Sequence, residues 1–180
     1  LNSELPIDSS SPQYMWLDNL LNTTPAQGNC RIAVDHRPRY SGGAHGDNRD
    51  LEPIYSRLGG SAKIFLSGHD HNMQRFAPNR GITQFISGAG GRENYPIEMP
   101  SEGRLAWSYS NSKEPISGAL RIILKKNRNL STADLSFVSN SKTLDATRIG
   151  CRRIQKRIVH KVRPSLVSLK TLTSFVQSIF

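Results

Sequence analysis

The sequence predicts an α/β fold, and three features predict it. Residues 30–35 and 62–67 are short apolar runs with β-branched or aromatic members, each reading as a strand. Between them lies a helical stripe, Leu51, Ile54, Tyr55 and Leu58. Each strand leads into a loop that carries histidine, His36 with His45 and then His69 with His71. The order strand, histidine loop, helix, strand, histidine loop is βαβ-like, so both loops fall on one edge of a sheet.

The remaining elements follow in chain order. Residues 1–10 are polar and irregular. Ser11-Pro12 supplies an N-cap with proline at the first helical position, and Tyr14, Leu17 and Leu21 share a face, with Trp16 and Leu20 alongside; a helix is predicted over 12–21. Residues 23–28 are a loop. Asp50 is expected to cap the second helix, with Pro53 in its first turn and Gly59 at its end. Residues 82–87 form a further strand, ended by Gly88-Ala89-Gly90-Gly91, glycines that could let backbone approach a ligand but that read first as a plain turn. A long polar excursion, 92–117, contains Trp107 and Tyr109. Alternating segments 118–125 and 131–138 make a closing hairpin about a turn at 126–130.

Length and composition set bounds. The 180 residues suffice for one domain with a real core, at 36% apolar and 21% charged content. No apolar run approaches the roughly 20 residues a membrane-crossing helix needs. The first residue is leucine and no signal-peptide pattern precedes the first motif, so further sequence is expected upstream. The net charge is +10, but every charged residue after Asp145 is basic: Arg148, Arg152, Arg153, Lys156, Arg157, Lys161, Arg163 and Lys170. The basicity thus belongs to a tail, and the rest of the chain is close to neutral. Cys30 and Cys151 have the spacing of neither a disulfide framework nor a zinc knuckle; pairing across the domain and two buried thiols both stand open.

The chemistry concentrates in Gly68-His69-Asp70-His71-Asn72. Gly68 allows a tight exit from a strand, and on a turn two imidazoles separated by one residue can point at a common centre. His36, at the end of the earlier strand and ahead of Pro38, is a second ligand position. Asp70 reads as a carboxylate that orients the turn rather than as a ligand. Arg39 and Arg75 could meet phosphate, but read first as solvated arginines beside a cleft.

Taken together, His36 ahead of a proline, Tyr40-Ser41, His45-Gly46 and Gly68-His69-Asp70-His71-Asn72 resemble, in order, the C-terminal half of the calcineurin-like metallophosphoesterases, the superfamily of purple acid phosphatases. The likeness is strongest to bacterial-type members whose loops read roughly H-H-P-R-[FY]-S-S-G-x-H-G and G-H-D-H-N-Y-E-R-F-A-P. It extends to the helix from Gln13 and the strand before Gly91, and covers residues 1–151.

That resemblance implies a four-layer α/β/β/α sandwich of which this chain is the C-terminal half. It implies two divalent or trivalent metal ions (iron, zinc, manganese or similar) at the strand ends, with His36 and His69 on one ion and His71 on the other. His45 would face the substrate phosphate as the catalytic histidine. The implied reaction is phosphoester hydrolysis by metal-activated water. It also implies a secreted or extracytoplasmic location. Two departures matter. Arg37 replaces the usual second histidine, and the motifs D-x-H, G-D-x-x-[YN] and G-N-H-[DE] occur nowhere in the sequence. The chain is therefore expected to be inactive alone and to need an upstream half of the domain as partner.

Residues 152–180 change character. After the basic stretch and Pro164, polar positions 165, 168, 171 and 174 alternate with Leu166, Leu169, Leu172 and Phe175, which predicts an amphipathic helix over 165–179. A basic segment beside such a helix fits contact with an anionic membrane surface. Nucleic acid is disfavoured, because aromatic interleaving is absent from the tail. Two alternatives remain: a non-catalytic binding module using this tail, and an extension without a role.

Overall fold

The structure, a computed structural model, describes residues 1–24, 29–110, 116–127 and 130–151. The expected tail helix lies outside the described residues.

The first helix, α1 (Pro12–Thr23), begins where the sequence places it. Ser11 accepts a hydrogen bond from the Tyr14 amide and proline occupies the first turn. The second begins as a 3₁₀ turn, Arg49–Leu51, and continues as α2 (Glu52–Leu58). Here the sequence reading needs correction: Asn48, not Asp50, caps the turn, accepting from the Asp50 amide. Leu51, Ile54, Tyr55 and Leu58 are all buried, as the stripe predicts.

Five strands form the main sheet: β1 (Ile32–Val34), β2 (Ile64–Ser67), β3 (Met73–Phe76), β4 (Thr83–Ser87) and β5 (Leu105–Tyr109), in the order β1-β2-β4-β3-β5. The first three in that order are parallel, and β3 runs antiparallel to both of its neighbours. The sequence reading missed two of these strands. Residues 73–76 are masked by the motif they follow, and β5 sits inside the polar excursion as an edge strand with exposed Leu105. A second, three-stranded antiparallel sheet holds β6 (Ala119–Asn127), β7 (Leu130–Ser139) and β8 (Lys142–Gly150). The expected hairpin is its first two strands; β8 extends it.

Strand alternation explains the layering. Phe65, Ile86, Phe76 and Ala33 face the helices and join Leu17, Ile54, Tyr55 and Leu58 in one core. Ile64, Phe85 and Met73 face the second sheet and pack with Ala133, Leu135 and Phe137 in another. Phe137 stacks on Trp107 with ring centroids 5.1 Å apart. Helices, sheet and sheet thus make three stacked layers of an α/β fold.

Two further links tie the layers. Arg75 of β3 makes a two-pronged pair with Asp145 of β8, at 2.7 and 2.9 Å, across the sheets. Cys30, just before β1, is disulfide-bonded to Cys151, just after β8, with Cα atoms 4.7 Å apart. This resolves the open alternatives for the cysteines in favour of pairing. Nor is Arg39 a solvated arginine: only 6% of its side chain is exposed, and it bridges Glu52 and Glu102, each at 2.8 Å. Both arginines are thus held by carboxylates, Arg75 from a strand and Arg39 from a loop.

Candidate active site

Parallel pairing of β1 with β2 brings their C-terminal ends side by side, and the chain reinforces that alignment. The Asp35 amide donates to the Leu66 carbonyl at 3.0 Å and the Gly68 amide to the His36 carbonyl at 3.1 Å. Asp35, buried at the strand end, accepts the His36 amide at 2.8 Å and so fixes the start of the first histidine loop. The second loop turns sharply: His69 adopts φ 66°, a left-handed conformation uncommon outside glycine. Gly88 is needed opposite, since a Cβ there would overlap the backbone carbonyl of Asp70. The glycine run after β4 is thus more than a plain turn.

Three of the four candidate histidines converge. His69 Nδ1 lies 3.1 Å from His36 Nε2, so one nitrogen donates and the other accepts. The His45 ring lies against His69, with centroids 3.9 Å apart. Burial, and next the nearby His45 and His36, hold the pKa of His69 below the ordinary imidazole value. A low pKa favours the neutral imidazole that a metal requires. His71 is turned elsewhere. Its Nδ1 lies 3.1 Å from the Glu93 carbonyl and its ring stacks on Tyr95, at 4.2 Å and 22°.

Asp70 does more than orient its turn. It is fully buried, takes the His45 amide at 3.1 Å and lies 2.7 Å from His45 Nδ1, while its other oxygen accepts the Ser41 hydroxyl. A buried amide network holds this unit: Gln74 Nε2 donates to Asn72 Oδ1 at 2.8 Å and to Ser41 Oγ at 3.2 Å, and Gln74 Oε1 accepts the Gly42 amide at 2.9 Å. Gln84 Oε1 likewise accepts the amides of Arg39 and Tyr40. Sequence reasoning missed Gln74, Gln84 and Tyr95. For Gln84 a signal existed: an uncharged amide in the middle of a predicted buried strand requires internal partners.

The fit to a metal can be judged on the His36–His69 pair. Two imidazole nitrogens bound to one tetrahedral zinc ion lie about 3.3 Å apart, given zinc–nitrogen distances of about 2.0–2.1 Å. The pair stands close to that separation, so a cation replacing the shared proton would have two ligands in place. Among the described residues, no group of three or more histidine, cysteine, aspartate or glutamate side chains is arranged to hold a metal ion. The residues present fit part of a metal site.

Comparison with known proteins gives partial likenesses. No family model matches the chain. It is 32% identical over 93 residues to the tartrate-resistant acid phosphatase type 5 of Rattus norvegicus, a match covering 48% of this chain and 27% of that enzyme. The chain therefore spans about a quarter of the curated relative it matches. In structure it is similar to GAP50, the anchor in the inner membrane complex of Plasmodium, with a TM-score of 0.61 at 15% identity, over 84% of this chain and 48% of that one. That likeness is one of fold. A zinc-complexed Vps29 from Entamoeba histolytica aligns at a TM-score of 0.37 and 17% identity, over 69% of this chain and 57% of that one, too low to bear on the argument. Among the described residues no helix is long and apolar enough to cross a membrane.

Proposed function

We propose that this chain carries part of the active site of a metal-dependent phosphoester hydrolase, and that its layers belong to a four-layer α/β/β/α sandwich. The observation that carries the reading is the convergence of His36, His69 and His45 at adjacent parallel strand ends, with His45 anchored on buried Asp70. The sequence likeness to an acid phosphatase supports it.

In this reading His36 and His69 hold one ion and His71 a second, with the remaining ligands supplied from outside residues 1–180. Ions held there would supply Lewis-acid polarisation of the phosphoryl group and would activate water. The chain's own contribution is orientation. Because Asp70 engages His45 Nδ1, the Nε2 nitrogen is left to meet a phosphate oxygen or to give a proton to the leaving group. Ser41 holds Asp70 and Gln74 holds Ser41, which favours one pose of the His45 ring. Location outside the cytosol fits the reading as well, because a disulfide persists in oxidising compartments.

The test compares the 180-residue chain with the same chain joined to a segment bearing D-x-H, G-D-x-x-[YN] and G-N-H-[DE]. Hydrolysis of a chromogenic phosphomonoester should be slight or nil for the first. For the second it should be metal-dependent and abolished by His69→Ala. Strong turnover by the 180-residue chain alone would overturn the division of the site. Inactivity of the joined protein, folded and supplied with zinc, iron or manganese, would overturn the hydrolase reading.

A further inference from the structure

Residues 93–95 lie in the polar excursion that the sequence leaves without a task, yet they wrap the side of the site where His71 stands. A carbonyl oxygen can only accept, so the 3.1 Å contact between His71 Nδ1 and the Glu93 carbonyl requires the proton on Nδ1. Neutral His71 then presents Nε2 as its bare nitrogen. Tyr95 holds the ring in that pose by stacking at 4.2 Å, and its amide donates to the His71 carbonyl at 3.1 Å. The segment is itself fixed. Asn94 is buried, and the Tyr95 carbonyl accepts from Asn72 Nδ2 at 3.4 Å and from the Ser110 hydroxyl. The Tyr95 ring also reaches His45, with centroids 5.6 Å apart, so one aromatic side chain separates the two histidines.

We propose that Tyr95 and the Glu93 carbonyl are positioning groups that lock His71 in the Nδ1–H tautomer and direct its Nε2 toward a cation. The tautomer lock stands on the geometry alone; its use for a cation rests on the metallophosphoesterase reading. The tautomer matters because free imidazole prefers the proton on the other nitrogen, so an unclamped His71 would offer the wrong atom much of the time. Partners of this kind typically change metal affinity by about 10- to 100-fold when removed.

The experiment is long-range proton–nitrogen NMR on the histidine rings of the full chain, without metal or substrate, at a pH well above the ordinary histidine range. Wild type and Tyr95→Phe, which keeps the ring, should show His71 as Nδ1–H. Tyr95→Leu should show a mixture shifted toward Nε2–H, with His45 unchanged. Zinc titrated into the same three sequences, each joined to the segment bearing D-x-H, G-D-x-x-[YN] and G-N-H-[DE], should bind Tyr95→Leu about tenfold more weakly than the other two. His71 as Nε2–H in the wild type, a result that needs no variant to fold, would overturn the proposal. So would an unchanged tautomer in Tyr95→Leu. A locked tautomer in a joined protein without zinc affinity would uphold the lock and overturn the metal reading.

Discussion

Nδ1 of His45 lies 2.7 Å from Oδ1 of Asp70, and that same oxygen takes the His45 backbone amide at 3.1 Å. One buried atom therefore fixes both the loop and the ring it carries. Asp70 sits between two histidines in sequence, yet the histidine it serves is 25 residues away. The pairing follows from the turn at His69, whose positive φ reverses the chain and drives the intervening carboxylate inward.

Asp70→Asn should expose this dependence. An amide offers one acceptor oxygen where His45 alone brings two donors, and Ser41 brings a third. A loss of about 1–3 kcal/mol is expected from unpaired buried groups, measured by chemical denaturation. Unchanged stability would mean that the network rearranges at no cost.

In the joined protein, His45→Ala should lower turnover by about 10²- to 10⁴-fold while leaving bound metal near its original level. His36→Ala and His69→Ala should strip metal and activity together. Elemental analysis beside the rate assay separates the two outcomes; metal loss in His45→Ala would reassign His45 as a ligand.

Arg39 sets an acid limit on stability. Burial alone would raise the pKa of Glu52, but hydrogen bonds from Ser56 and Arg39 outweigh it and hold it below the usual value. The hydrogen bond from Arg39 likewise lowers Glu102. Both carboxyls titrate lower folded than unfolded. Their contribution is therefore present above about pH 4.5, the ordinary glutamate value, and is lost as the pH falls through the folded values. Arg39→Met should lower the melting temperature near neutral pH and flatten its fall with acid; an equally steep acid fall in the variant would place the sensitivity elsewhere.

The Cys30–Cys151 bond closes a loop with a sequence separation of 121 residues. By chain entropy, its loss should cost about 4–5 kcal/mol. Denaturation curves of the reduced protein and of the double variant Cys30→Ala, Cys151→Ala should shift alike to lower stability than the oxidised protein. Stability insensitive to both would show that the two cores alone hold the ends together.

Residues 152–180 call for a binding assay. The full chain and one ending at Cys151 can be mixed with anionic and neutral vesicles at low and high salt. Salt-sensitive binding to anionic vesicles alone, lost on truncation, is the expected outcome for a membrane-contacting tail; identical behaviour would leave the tail without that role.

Much of the frame was legible because it rests on short-range rules. Ser11-Pro12 marks a helix start, the stripe from Leu51 to Leu58 marks a buried face, and two apolar runs mark parallel strands. The strands that escaped, β3 and β5, carry mixed residues such as Gln74 and Arg75, whose partners lie far away in Ser41 and Asp145. Polar residues in strands are disguised as loops until their partners are known. The same holds for the site. Histidines announce themselves by type and spacing, whereas Asp70, Glu93 and Tyr95 act through distances that only the folded chain defines.

The disulfide fixes a direction as well as a distance. Cys30 precedes β1, and the histidine loops follow β1 and β2, so the bond and the site stand at opposite poles of the sheet. Cys151 therefore stands at the pole away from the histidines. A tether attached at Cys151 would leave the histidine edge of the sheet uncovered.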